Sequence, residues 1–185
     1  MEAFTDELSK RLSEFTPRKL APGEKGEASV LMSLFFKGSD PAFLLTKRSE
    51  KVATYRGHIS FPGGMRDSAD DSLVDTALRE AIEEIGLDTR HIKVLGEFND
   101  YLSNEGFVIH TVLAFLEDTS RLRPQPEEVE YLLKIPLSFF RENPPRTEIW
   151  ERNGKSFEVY FYDYKGEIVW GLTARMIKHF VDHLV

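Results

Sequence analysis

One stretch limits what this chain can become: Phe61 to Leu87, FPGGMRDSADDSLVDTALREAIEEIGL. Leu73 to Ile85 has the spacing of an amphipathic helix, and Gly86 stands where a left-handed residue commonly ends one. Val74, Ala77, Leu78, Ala81, Ile82 and Ile85 fall on one predicted apolar face. Glu80, Glu83 and Glu84 sit at i, i+3 and i+4 on the opposite ridge. Like charges so placed destabilise a helix by roughly 0.2–0.5 kcal/mol per pair. A hard divalent cation reverses that effect, because Mg²⁺ and Mn²⁺ prefer oxygen ligands. Arg79, four residues before Glu83, can hold one carboxylate in place. Just upstream, Pro62-Gly63-Gly64 lets backbone approach a ligand closely and present a carbonyl or amide near the helix start. On the glutamates alone, a solvated acidic face is the competing reading. The glycine loop, the carboxylate helix and the glycine stop together suggest a metal–diphosphate site.

At these residues the chain resembles the Nudix hydrolases, whose box runs G-x5-E-x7-R-E-U-x-E-E-x-G-U with U a bulky apolar residue. Arg79-Glu80-Ala81-Ile82-Glu83-Glu84-Ile85-Gly86-Leu87 matches the second half, with small Ala81 at a U position. The first half departs: the stretch from Gly64 to Arg79 is one residue longer than the box, and Asp70 or Asp71 is nearest to the expected Glu. A similar Asp-rich, longer stretch belongs to the coenzyme A-cleaving subgroup. Leu44 to Gly64, LLTKRSEKVATYRGHISFPGG, resembles that subgroup's L-L-T-x-R-[SA]-x3-R-x3-G-x3-F-P-G-G pattern, with Ala53 in place of its second Arg. Arg56 and Lys51 are the nearby cations. Ser103 to Val112 and Trp170 to Arg175 are similar to further stretches of the subgroup, so the likeness runs from about Ala28 to Val181.

The resemblance implies a pyrophosphohydrolase of a nucleoside diphosphate linked to another group. Coenzyme A or its thioesters is the leading substrate, giving 4′-phosphopantetheine, free or acylated, and adenosine 3′,5′-bisphosphate. ADP-ribose, NADH or a nucleotide sugar is the alternative, and a nucleotide-binding module without catalysis is a third reading. It implies Mg²⁺ or Mn²⁺ on Glu80, Glu83, Glu84 and the Gly64 carbonyl, with Arg79 orienting the ridge. The general base is Glu83 or a loop acid, Glu127 or Glu128. Arg48, Ser49, Arg56, Gly63 and Gly64 are the expected substrate-binding residues. A homodimer is a further family expectation, with the Phe4–Phe15 helix on its own core or on a second subunit.

The rest of the chain fits one domain: 185 residues, with 41 % hydrophobic and 30 % charged. Residues 1–27 read as an N-terminal helix and loop, and 28–185 as the catalytic core. The resemblance implies an α/β (α+β) fold, a Nudix-type α/β/α sandwich with a mixed β-sheet. Strands are predicted at Ala28–Phe36, Ala42–Thr46, Lys93–Phe98, Phe107–Leu116 and Ile135–Phe140, with loop over Gly57–Asp70. A hairpin is predicted over Glu148–Tyr164 with its turn at Asn153-Gly154, and a final helix over Thr173–Leu184. The aromatic-rich run around Trp150 and Tyr160 to Tyr164 reads first as sheet packing, with base stacking or a subunit contact as the lesser reading.

No cysteine is present, which excludes disulfides, thiolate metal sites and Cys nucleophiles. A net charge of −7 argues against nucleic acid as a partner, since such binding depends on phosphate neutralisation. No apolar run approaches a membrane span, and the acidic start suggests a cytoplasmic protein. No G-x-S-x-G elbow, Walker loop or dinucleotide fingerprint is present. His58 reads as a loop histidine that could touch substrate; the other histidines lack metal-ligand spacing.

Overall fold

The computed structural model describes residues 2–152 and 154–185. Helix α1 (Glu2–Glu14) leads into β1 (Glu27–Lys37) and β2 (Asp40–Arg48), then the short β3 (Ile59–Ser60) and β4 (Gly63–Met65). Helix α2 (Leu73–Ile85) follows, then β5 (Ile92–Glu97), β6 (Tyr101–Leu102), β7 (Val108–Leu116), β8 (Val129–Pro136) and α3 (Leu137–Glu142). Strands β9 (Arg146–Arg152), β10 (Lys155–Tyr164) and β11 (Glu167–Trp170) precede α4 (Gly171–Leu184).

The main sheet is mixed, in the order β3-β2-β1-β7-β5, with β4 on β1, β6 on β7 and β8 on β2. Strands β1 and β7 run parallel from Glu27 opposite Val108 to Leu34 opposite Phe115, and the other pairs are antiparallel. Strand β1 has two partners along one edge. Its end, Leu34 to Lys37, pairs with β2, and its beginning, Ala28 to Val30, pairs with β4. Between them the Leu31 N–H donates to the Pro62 carbonyl at 2.8 Å. The sheet therefore splits at this edge, and the Pro62-Gly63-Gly64 loop fills the split.

Both faces of the sheet are buried, which explains why the central strands read as apolar runs with little alternation. Leu31, Phe35, Ala42, Leu44, Val112 and Ala114 pack with Ala77, Ala81 and Ile85 of α2. On the other face Met32, Leu34, Phe43, Leu45, Leu113 and Phe115 pack with Leu8 and Leu12 of α1 and with Ile177 and Phe180 of α4. This is the predicted α/β/α layering, and α1 lies on its own core.

The differences from the sequence reading have physical reasons. Strand β8 begins at Val129, before the strand predicted from Ile135, and Leu137 to Phe140 are helical, not strand. Burial of Val129, Leu133 and Ile135 against β2 outweighs the polar composition at the strand's start. Residues 57–70 contain β3 and β4, each too short to show periodicity. The aromatic hairpin forms a separate three-stranded sheet, β11-β10-β9, instead of extending the main one. Its predicted turn residue Asn153 lies outside the described residues.

No described helix is long and apolar enough to cross a membrane. Phe180 is fully buried, edge-on to Phe43 and Phe98 at centroid distances of 5.2 and 6.4 Å. Phe180→Ala should therefore reduce unfolding free energy by about 3–5 kcal/mol, measured by urea denaturation.

Candidate active site

Helix α2 starts at Ser72, whose hydroxyl accepts the Asp75 N–H, and stops at Gly86 with φ 64°. The boundaries match the sequence reading, but the faces do not. Ile82 is 45 % exposed, whereas Glu84 is only 3 % exposed. Glu84 lies on the edge of the stripe formed by Ala77, Ala81 and Ile85, so the three glutamates do not share one solvated ridge. The helix gives up a core position to a carboxylate and leaves an isoleucine in water.

The glycines explain how that carboxylate is accommodated. The Gly63 N–H donates to Glu84 at 3.2 Å. A β-carbon on Gly63 would lie 2.3 Å from the Ser29 carbonyl oxygen, so β4 reaches β1 only with glycine there. A β-carbon on Gly64 would lie 2.4 Å from the Glu80 carboxyl carbon. Backbone and carboxylate therefore meet without an intervening side chain.

Arg79 organises the rest. Its Nε and Nη2 donate to the two oxygens of Asp70 at 2.9 and 3.0 Å, a bidentate contact. Nη2 also donates to the Met65 carbonyl, and Nη1 donates to Glu80 at 2.8 Å and Glu83 at 3.2 Å. Asp70 additionally accepts the Asp67 N–H and the Thr76 hydroxyl. The extra residue in the box is taken up in this turn, which still delivers a carboxylate to Arg79. Sequence reading placed Asp70 as a nearest occupant only; its acceptor role could not be read from spacing.

Arg48 approaches from β2, with Nη1 3.8 Å from Glu84, while its buried Nε has no hydrogen-bond partner among the described residues. Glu128 lies close enough for its charge to act on both Glu80 and Glu84. Its carbonyl accepts the Ser49 N–H at 2.8 Å, tying the later loop to the end of β2. Thus Gly63, Gly64, Arg79, Glu80, Glu83, Glu84, Arg48 and Glu128 converge. Ser49 is buried, and its hydroxyl accepts the Lys51 N–H, so it shapes the loop. Arg56 is exposed and turned back onto the Val52 carbonyl, and Lys51 pairs with Glu127. Those two cations are not directed at the carboxylates. His58 packs against Trp170, and burial lowers its pKa, helped by the charges of Arg48 and Lys47.

The electrostatics separate the acids. Burial pushes Glu84 up to about 8, with Glu80 and Glu128 adding to the rise and Arg48 and the Gly63 N–H opposing it. Burial also raises Glu80. Asp70 is held well below the usual carboxylate range, first by its hydrogen bonds from Arg79. An all-oxygen donor set with a desolvated carboxylate is the chemistry that a hard divalent cation neutralises. Glu80 and Glu83 are turned to Arg79, and no group of three acidic or histidine side chains among the described residues is gathered closely enough to hold a cation. Of the two glutamates held by Arg79, Glu83 is the more exposed.

With this geometry described, comparison with known proteins identifies the family. The NUDIX domain profile matches residues 27–160. This chain belongs to the Nudix family. An uncharacterised Nudix hydrolase NudL of Photorhabdus laumondii is 33 % identical over 163 residues, covering 87 % of this chain and 86 % of that protein. Nudix hydrolase 15, mitochondrial, of Arabidopsis thaliana is 35 % identical over 179 residues, covering 92 % of this chain and 60 % of that longer protein. Among solved structures, the Nudix hydrolase RenU from M. smegmatis aligns with a TM-score of 0.53 at 22 % identity, over 65 % of this chain and 81 % of that one. The Nudix domain of Shewanella oneidensis NrtR, solved with ADP ribose, aligns with a TM-score of 0.51 at 20 % identity, over 74 % and 87 %. These two likenesses describe the fold. The chain is a hydrolase of the Nudix family, acting on pyrophosphate bonds.

Two pH-dependent outcomes follow. Ionising Glu84 is harder in the folded protein than at its ordinary value of 4.5, so this group withdraws stability as pH rises from about 4.5 to about 8. Metal-free Glu84→Gln should become more stable than wild type across that window, by a few kcal/mol at its top, read by thermal unfolding. Asp70 behaves oppositely: its low folded pKa stabilises the fold above the unfolded value and is lost as pH falls. Asp70→Asn should lower the melting temperature at pH 7, and the deficit should shrink as pH drops below about 4.

Proposed function

We propose that this Nudix hydrolase cleaves the diphosphate of coenzyme A or an acyl-coenzyme A with Mg²⁺ or Mn²⁺. The observation that carries the reading is the meeting of Glu84 and Glu80 with the Gly63-Gly64 backbone, beside the Arg48 guanidinium. Glu80, Glu83, Glu84 and the Gly64 carbonyl would hold the metal, which supplies charge neutralisation at the phosphoryl oxygens and a more acidic bound water. Arg48 is the cation placed to receive a phosphate, through the outer nitrogens of a guanidinium that already approaches Glu84. Arg79 keeps the carboxylate helix and the glycine loop in register. Glu83 or Glu128 takes the proton from the attacking water. Glu128 is favoured for that step, because it faces Glu80 and Glu84 from a separate loop and Arg79 does not hold it. The coenzyme A assignment rests on LLTKRS at the end of β2 and on WGLTAR at the junction of β11 and α4.

A second reading, hydrolysis of ADP-ribose, NADH or a nucleotide sugar, is favoured by Ala53, which leaves an exposed small residue where the subgroup pattern carries Arg. The NrtR domain solved with ADP ribose shows that a fold of this kind accepts such a ligand. Mass spectrometry of coenzyme A, 3′-dephospho-coenzyme A, ADP-ribose, NADH and a nucleotide sugar incubated with the protein and Mg²⁺ or Mn²⁺ decides between them. Preferred cleavage of coenzyme A to phosphopantetheine and adenosine bisphosphate is the expected result. Preference for an analogue without the 3′-phosphate would replace it with the second reading. EDTA should abolish turnover. Glu128→Gln should lower kcat by about 10²–10⁴ if it is the base, while a change below twofold would return that role to Glu83.

A further inference from the structure

The three-stranded sheet has one face on the core and another that the proposed chemistry leaves unused. On the inner face Tyr162 meets Phe140 and Tyr164 meets Phe139, each at 4.9 Å between centroids. On the outer face three aromatic rings cluster. Phe161 lies directly across from Trp170 in the β10–β11 register, and their rings are parallel within 1° at 5.9 Å. Parallel planes at that spacing form an offset stack, so part of each face covers the other. Trp150 of β9 leans onto both, 6.2 Å from Phe161 and 5.9 Å from Trp170, and is still 40 % exposed. Its indole N–H donates to Glu148 at 2.8 Å, which fixes the ring's orientation. The Arg146 guanidinium stands 4.3 Å from the centre of the Phe161 ring.

This ledge is continuous with the carboxylate site. Trp170 is 5.0 Å from His58, the His58 carbonyl accepts the Arg48 N–H at 2.8 Å, and the Arg48 side chain reaches Glu84. Tyr55 continues the row beside His58, anchored through its hydroxyl to Glu105. A phosphate received by Arg48 would therefore have an aromatic surface immediately on its β3–β11 side. Exposed Trp150 beside half-buried Trp170 suits a flat π-system, while the Arg146 guanidinium at the far end is paired with Glu148.

Building on the proposed hydrolysis of a nucleoside diphosphate, we infer that Trp150 and Trp170 form the platform on which the substrate's nucleobase stacks. They would set specificity for the nucleoside end. Phe161 and Trp170 lie beyond the NUDIX profile match, which ends at residue 160, whereas Trp150 lies within it. The occupant is a purine-like ring attached to the diphosphate, not the opposite, flexible end of the substrate.

The chain has only two tryptophans, and both lie on this ledge, so intrinsic fluorescence reports on it directly. Titration of the full chain with ADP should quench tryptophan emission, and 4′-phosphopantetheine should leave it unchanged. Trp150→Ala should raise KM for the preferred substrate about 5- to 100-fold with a much smaller fall in kcat, and Trp150→Phe should restore most of the affinity. Ile149→Ala, 63 % exposed on the same strand with its side chain on the other face, should alter neither value. ADP that inhibits hydrolysis while leaving emission unchanged would overturn the platform and leave the hydrolase reading standing. Quenching by phosphopantetheine but not ADP would also overturn it. Quenching by ADP without cleavage of any diphosphate would keep the platform and remove the proposed reaction.

Discussion

A single guanidinium holds the candidate site together. Arg79 joins Asp70, Glu80, Glu83 and the Met65 carbonyl, and so links the loop after β4 to helix α2. Without it the helix would carry adjacent like charges, and the loop would have no electrostatic reason to fold back. The close approach of Gly64 to Glu80 depends on that loop staying in place. Arg79 is thus a positioning residue on this geometry: it contacts the acids and the loop, and through them it sets the distance between backbone and carboxylate.

The burial of Glu84 works against stability. A carboxylate on the edge of an apolar stripe, with its pKa raised to about 8, is a poor choice for a helix selected on folding alone. Local and global preferences conflict here, as they do at functional sites. The Gly63 N–H and Arg48 offset only part of the desolvation. The remainder is available to any cation that enters, because the neutralisation missing in the protein alone is supplied on binding.

Much of this was legible in the sequence. The helix Leu73–Ile85 and its Gly86 stop appear as predicted, since periodicity and a left-handed glycine point to the same limits, and the structure adds the Ser72 cap. The layering followed from the family resemblance and from strands that are apolar on both faces. What was not legible depends on tertiary contact. The burial of Glu84 contradicts its charge, and the exposure of Ile82 contradicts its hydropathy; both are set by where β4 meets α2. Strands of two or three residues carry no period to read, and β8 was masked by the acidic, proline-rich segment that leads into it. The role of Asp70 required knowing how the turn at Asp67 aims its side chain.

The split edge of the main sheet connects these observations. Because β1 pairs with β4 at one end and β2 at the other, the chain must pass from β2 back to β4 through the loop holding Tyr55 and His58. That passage brings the end of β2 to two neighbours at once. On one side the Arg48 side chain meets the carboxylate helix, and on the other the His58 ring meets the aromatic sheet. One backbone hydrogen bond, from the Arg48 N–H to the His58 carbonyl, keeps the two in step. The placement of the added sheet β9–β11 beside β3 is therefore coupled to the same split that admits the glycine loop. The split thus sets the glycine loop beside the carboxylate helix and the aromatic sheet beside β3 in one step.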